Sequence, residues 1–174
     1  MRTGAHRPQP ESIDEVISMH ISTLTQAIGS HFGEESLRQF LDELRVEGVP
    51  KVPKGNDTTF LKKAENGLEL TFADERFMTV KLKQYPEGAL VLSNVRFYGA
   101  GAGAEGFDAY AGELPYGLKF GATLDDLTNA LGTPGWKSPN GKRVRWDQDG
   151  HAVFATLGED AKLQILAVQL PVKK

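Results

Sequence analysis

Apolar positions in the first part of the chain recur at helical spacing. Ile13, Val16, Ile17, His20, Ile21, Leu24 and Ile28 share one face and predict a helix from the capping box of Ser12 and Glu15 to the stop at Gly29. A second helix is expected from near Gly33, with Glu34 and Glu35 at its positive end and Leu37, Phe40, Leu41 and Leu44 as its buried stripe. Gly48 and Pro50 would end it. The spacing then changes to alternation. Residues 58–63 are β-prone. Leu68, Leu70 and Phe72 alternate, as do Met78, Val80 and Leu82, and the two runs predict a hairpin turning at Asp74, Glu75 and Arg76. Residues 85–88 make a second turn. Leu90 and Leu92 oppose Val95 and Phe97 in parity, which predicts a bulge at Ser93 and Asn94.

The second half repeats this order. A glycine-rich linker spans residues 99–112, with Phe107 and Tyr110 expected to tack it down. A third helix starts at Thr123, with Asp126 completing a capping box and Leu124, Leu127 and Leu131 as its stripe. Gly132 and Pro134 end it, as Gly48 and Pro50 end the second. Strands are expected at residues 144–147, 152–157 and 163–170. Leu163 and Ile165 share one parity, while Val168 and Leu170 have the other, a second phase break. The predicted fold is α+β: two tandem helix-plus-three-strand units forming an antiparallel sheet with helices on one face, plus an extra N-terminal helix. The divisions are a disordered lead at 1–11, an N-terminal unit at 12–98, a linker at 99–112 and a C-terminal unit at 113–174, in one compact fold. The uncovered sheet face, or its edge, is the expected binding surface.

Composition narrows the functions. The chain has 174 residues, a net charge of -3 and no cysteine, so thiolate catalysis and zinc–thiolate sites are excluded. No apolar run is long enough for a membrane span and no apolar segment follows the N-terminal cations, so the expected location is cytoplasmic. Residues 101–106 match G-x-G-x-x-G, but Gly112 and Pro115 leave no room for the helix a dinucleotide site needs. His6, His20, His31 and His151 show no metal-ligand spacing, and no serine sits in a nucleophile elbow. The acidic pairs at 34–35 and 125–126 suit helix starts, and those at 74–75 and 159–160 suit solvated turns. Trp136, Lys137, Lys142, Arg143, Arg145 and Trp146 mix cations with aromatics. Strand alternation accounts for them, with Val144 and Trp146 inward and Arg143 and Arg145 outward, and nearby acids argue against nucleic acid. No catalytic residue, cofactor or metal is expected.

Tyr110, Gly112, Leu114, Pro115, Gly117, Leu118, Thr123, Leu127, Leu131, Gly132, Pro134 and Trp146 resemble a pattern in bacterial toxin-immunity proteins. The helix-to-Gly-x-Pro-to-strands layout is also similar to the tandem modules of β-lactamase inhibitor proteins and of small outer-membrane assembly lipoproteins. No lipobox cysteine accompanies it. The resemblance implies a cytoplasmic protein that neutralises a cognate toxin by direct binding. The alternatives are an adaptor or scaffold module, including a homodimer pairing sheet edges, and a small-molecule binder with a pocket between sheet and helices. The expected contact residues are the aromatics Tyr98, Tyr116 and Trp136 and the acids Asp74, Glu75, Asp147 and Asp149.

Overall fold

The computed structural model describes residues 21–102 and 107–172. Among them are helices α1 (Ile21–Ala27), α2 (Glu35–Glu43) and α3 (Leu124–Leu131). Strands are β1 (Thr58–Lys63), β2 (Leu68–Asp74), β3 (Leu90–Tyr98), β4 (Trp136–Lys137), β5 (Arg143–Gln148), β6 (His151–Leu157) and β7 (Leu163–Gln169). The fold is α+β, and its strands form one antiparallel sheet in the order β1-β2-β3-β7-β6-β5-β4. The chain's two series of strands therefore meet where β3 pairs with β7. The lead, the first turns of the predicted N-terminal helix and the middle of the glycine-rich linker lie outside the described residues.

Local chemistry explains most element ends. α3 starts at a complete capping box: the Asp126 amide donates to Thr123 Oγ1, and the Thr123 amide donates to the Asp126 carboxylate. Gly29 ends α1 at φ +93° and continues into an extended segment, which donates to and accepts from Leu92 through Gly29 and Ser30. α2 buries Leu37, Phe40 and Leu41, as its spacing predicts. Its end differs from expectation. The helix stops at Glu43, before Gly48, because Arg45 turns left-handed at φ +57° and the Val46 amide reaches back to the Leu41 carbonyl.

The hairpin expected between Leu68 and Leu82 is corrected. β2 pairs with β1 on one side and β3 on the other, and the strand predicted at 78–82 does not form. Residues 75–77 are instead a turn of 3-10 helix, followed by an irregular connection to Leu90. The bulge at Ser93 is present: Thr71 faces Asn94, while Phe72 faces Leu92. The second phase break also exists but is displaced. Leu163 faces Leu157 and Ile165 faces Thr156, so Gln164 is the extra residue. Leu163 is buried in the core, whereas Ile165 belongs to the opposite face, against the expectation that they share one.

One core serves the whole sheet. Rows such as Trp146–Val153–Val168–Val95–Leu70 cross it from strand to strand. They share a continuous cluster with Leu24, Leu37, Phe40, Leu127 and Leu131 from the helices. Trp146 is 1% exposed, and its indole Nε1 donates to the Gly132 carbonyl at 2.8 Å, tying β5 to the end of α3. No helix among the described residues is long and apolar enough to cross a membrane.

Candidate functional site

Alternation places every second strand residue on the sheet face away from that core. On this face Arg145, Phe154, Ala167, Arg96 and Glu69 stand in register across β5, β6, β7, β3 and β2. The neighbouring row is Arg143, Thr156, Ile165 and Tyr98, and the row on the other side contains Ala152, Gln169, Asn94 and Thr71. Ala167 is short and its in-register neighbours are tall. The face therefore sinks at Ala167 into a cavity of about 260 Å³, walled by Phe154, Arg96, Ile165 and Gln169, with Arg143 and Thr156 at one corner.

The cavity's outer wall is aromatic and cationic. The Arg143 guanidinium lies 5.4 Å from the Phe154 ring centre, a cation–π arrangement. Trp136 meets the same ring edge-on at 6.3 Å and is 40% exposed. Arg145 Nε approaches Asp147 at 3.5 Å, a loose pair whose buried Nε makes no hydrogen bond among the described residues. On the inner side Arg96 lies 3.6 Å from Glu69, which also accepts from the Tyr98 hydroxyl at 3.5 Å.

The expected contact residues do not form one surface. Trp136 and Asp147 flank this wall, and Asp149 is exposed at the β5–β6 turn, at φ +52°. Tyr98 is 6% exposed and packed against Phe107, so it offers little contact area. Tyr116 is largely buried at φ +61°, and its hydroxyl makes no hydrogen bond among the described residues. Burial, with the Asp149 charge nearby, pushes its hydroxyl pKa up. Asp74 and Glu75 are the clearest correction: the expected solvated turn acids are buried anchors. Asp74 takes the Arg76 amide and guanidinium, a contact that holds its carboxyl below the usual range. Glu75 accepts from the Gly88 amide and from Lys81, which lower it likewise.

A wider cleft of about 670 Å³ lies between α1 and residues 112–120. Leu24, Leu114, Pro115, Leu118 and Phe120 line much of it, with Glu113 and Lys119 as its charged groups. Among the described residues it brings together no converging set of titratable side chains. Among the described residues no group of His, Asp and Glu is placed to hold a metal ion. His151 Nδ1 contacts the Asp149 carbonyl at 3.1 Å, while its Nε2 is buried with no hydrogen-bond partner among the described residues.

Sequence reasoning passed over Arg96, Phe154, Ala167 and Gln169, and gave Ile165 only as a strand residue sharing the parity of Leu163. Phe154 carries a usable signal: it is a large apolar residue out of phase with Val153 and Ala155 in a half-buried strand. Arg96 carries none, because its approach depends on the β3–β7 pairing.

No family model and no curated protein matches the chain. A solved structure of a DUF4309 family protein (YjgB) from Bacillus subtilis is similar at a TM-score of 0.43 and 15% identity, covering 87% of this chain and 93% of that one.

Proposed function

We propose that the protein is a non-catalytic binding module that neutralises a cognate bacterial toxin in the cytoplasm by direct contact. The observation that carries the binding role is the cluster on the sheet face away from the core in which exposed Trp136 and Arg143 pack on half-buried Phe154. Tryptophan and arginine dominate the energetics of protein interfaces, because each covers much area for few lost rotamers or supplies directed donors. The toxin as partner rests on the resemblance of residues 110–134 to immunity proteins. The binding surface differs from the one expected, since the acids at 74 and 75 are committed to internal contacts and arginines take their place.

The same proposal includes a tandem construction, with two units joined through β3 and β7 and the helices covering one sheet face. It is supported by the strand order, in which each series ends on the strand that meets the other. It is also supported by the two one-residue bulges, at Ser93 and Gln164. A standard interface of about 1,600 Å² would extend from the cluster over neighbouring strands and loops.

The test is capture from the source cell with the wild-type protein and with Trp136→Ala as baits, read by mass spectrometry. Recovery of one toxin domain by the wild type, reduced about tenfold or more by Trp136→Ala, is the expected result. Recovery of a housekeeping protein in the same Trp136-dependent way would replace neutralisation by the adaptor role. Capture unaffected by the substitution would overturn the proposed surface.

A further inference from the structure

We propose that the cavity over Ala167 binds an organic carboxylate carrying a flat apolar body, such as an aryl-acetate. This goes beyond the toxin-binding reading, and its test needs no partner protein.

The shape follows from the register. Phe154 and Arg96 stand on the strands either side of Ala167, so their backbones are two strand spacings, about 10 Å, apart. Two tall walls over a methyl floor leave a slot about one flat ring wide. Phe154 and Ile165 supply apolar surface for that ring. A volume of about 260 Å³ is below the usual range of about 300–1,000 Å³ for sites of drug-sized ligands, so the occupant is small.

The charge follows from the arginines. The Arg143 guanidinium pairs with no carboxylate among the described residues, and the contact it makes there is with the Phe154 ring. Arg96 is held only loosely by Glu69, at 3.6 Å. Arg143 and Arg96 thus line the slot from opposite sides, and Gln169 adds an amide group. A carboxylate matches the planar fork of one guanidinium bidentately. Its ring would stack on an apolar wall that a bare inorganic anion could not use.

The experiment is an amide NMR titration of the full chain with phenylacetate, alongside phenylacetamide and inorganic phosphate. Phenylacetate should give saturable shifts centred on Phe154, Ile165 and Ala167. Phenylacetamide, which lacks the charge, should bind at least about tenfold more weakly. Arg143→Gln should weaken phenylacetate by about tenfold, and Ala167→Leu, which fills the floor, should abolish the shifts, with the spectra of Val95 and Leu70 unchanged in both. Equal binding of phenylacetamide, equal effects of phosphate at the same amides, or no saturable shift would each overturn the assignment.

Discussion

The β1–β2–β3 and β5–β6–β7 regions follow the same antiparallel pairing scheme, but they treat the face away from the core differently. In the first region the β2–β3 connection is long, residues 75–89, and is tied down by Asp74 and Glu75. Its Phe77, Met78 and Val80 line a groove with Thr71, Asn94 and Gln169, so the connection borders that part of the face. In the second region the β6–β7 connection is a tight turn at 158–162, in which the Gly158 amide donates to the Lys162 carbonyl and the Lys162 amide donates to the Asp160 carboxylate. There Arg143 and Trp136 are exposed, and Phe154 is half-buried beneath their side chains. Pairing decides which residues share a face, and connection length decides which part of that face remains open for binding.

The largest expected effect tests the core that both regions share. Trp146→Ala should destabilise by about 3–5 kcal/mol, read as a shift in the urea midpoint, because it removes a filled indole and its bond to Gly132. A loss below about 1 kcal/mol would mean that the second region does not depend on this ring.

Next is the long connection. Asp74→Ala should cost about 1–3 kcal/mol and raise amide exchange in residues 75–89 while sparing 158–162. Acid should act in the same direction. The folded pKa of Asp74 is depressed, so its stabilisation is complete above the ordinary carboxylate range near about 4 and is lost as pH falls through the folded value. A wild-type minus Asp74→Ala stability difference that stayed constant through that range would contradict the assignment. At high pH the relevant group is Tyr110, whose pKa is pushed up to about 12 by burial and by Glu113. Its contribution should hold below about pH 10 and decline as pH rises towards 12. Tyr110→Phe should flatten that decline.

A smaller effect comes from the α3 cap, where Thr123→Ala should cost about 1 kcal/mol in the same denaturation assay. Smallest is Trp136→Ala, expected within about 0.5 kcal/mol of wild type because the ring is 40% exposed. That variant should impair capture of a partner while leaving stability intact, the reverse of Trp146→Ala. Equal melting losses in the two tryptophan variants would erase the distinction between the buried and open faces.

Short-range chemistry made several elements legible. Thr123 and Asp126 announce the α3 start, and the apolar spacing of Leu37, Phe40 and Leu41 announces the buried side of α2. The alternation of Val144 and Trp146 against Arg143 and Arg145 gives both the strand and its orientation. The run Met78, Val80 and Leu82 misled because alternation is necessary for a half-buried strand but does not supply a neighbour to pair with. β2 already has β1 and β3 on its two sides. The acids at 74 and 75 misled for a similar reason. Turn acids are usually solvated, but Arg76, Lys81 and the Gly88 amide make these two the fasteners of a long connection.

The sequence alone determined the α+β character, the cap of α3, the bulge at Ser93 and the inward direction of Trp146. Each depends on residues a few positions apart, whose geometry the backbone fixes locally. Only the tertiary structure decided that β3 lies beside β7, that Arg96 and Phe154 therefore flank Ala167, and that the long connection borders one part of the face. Those outcomes depend on pairing between distant segments. Many registers satisfy the same alternation, and the shared core selects among them by how its side chains fill space.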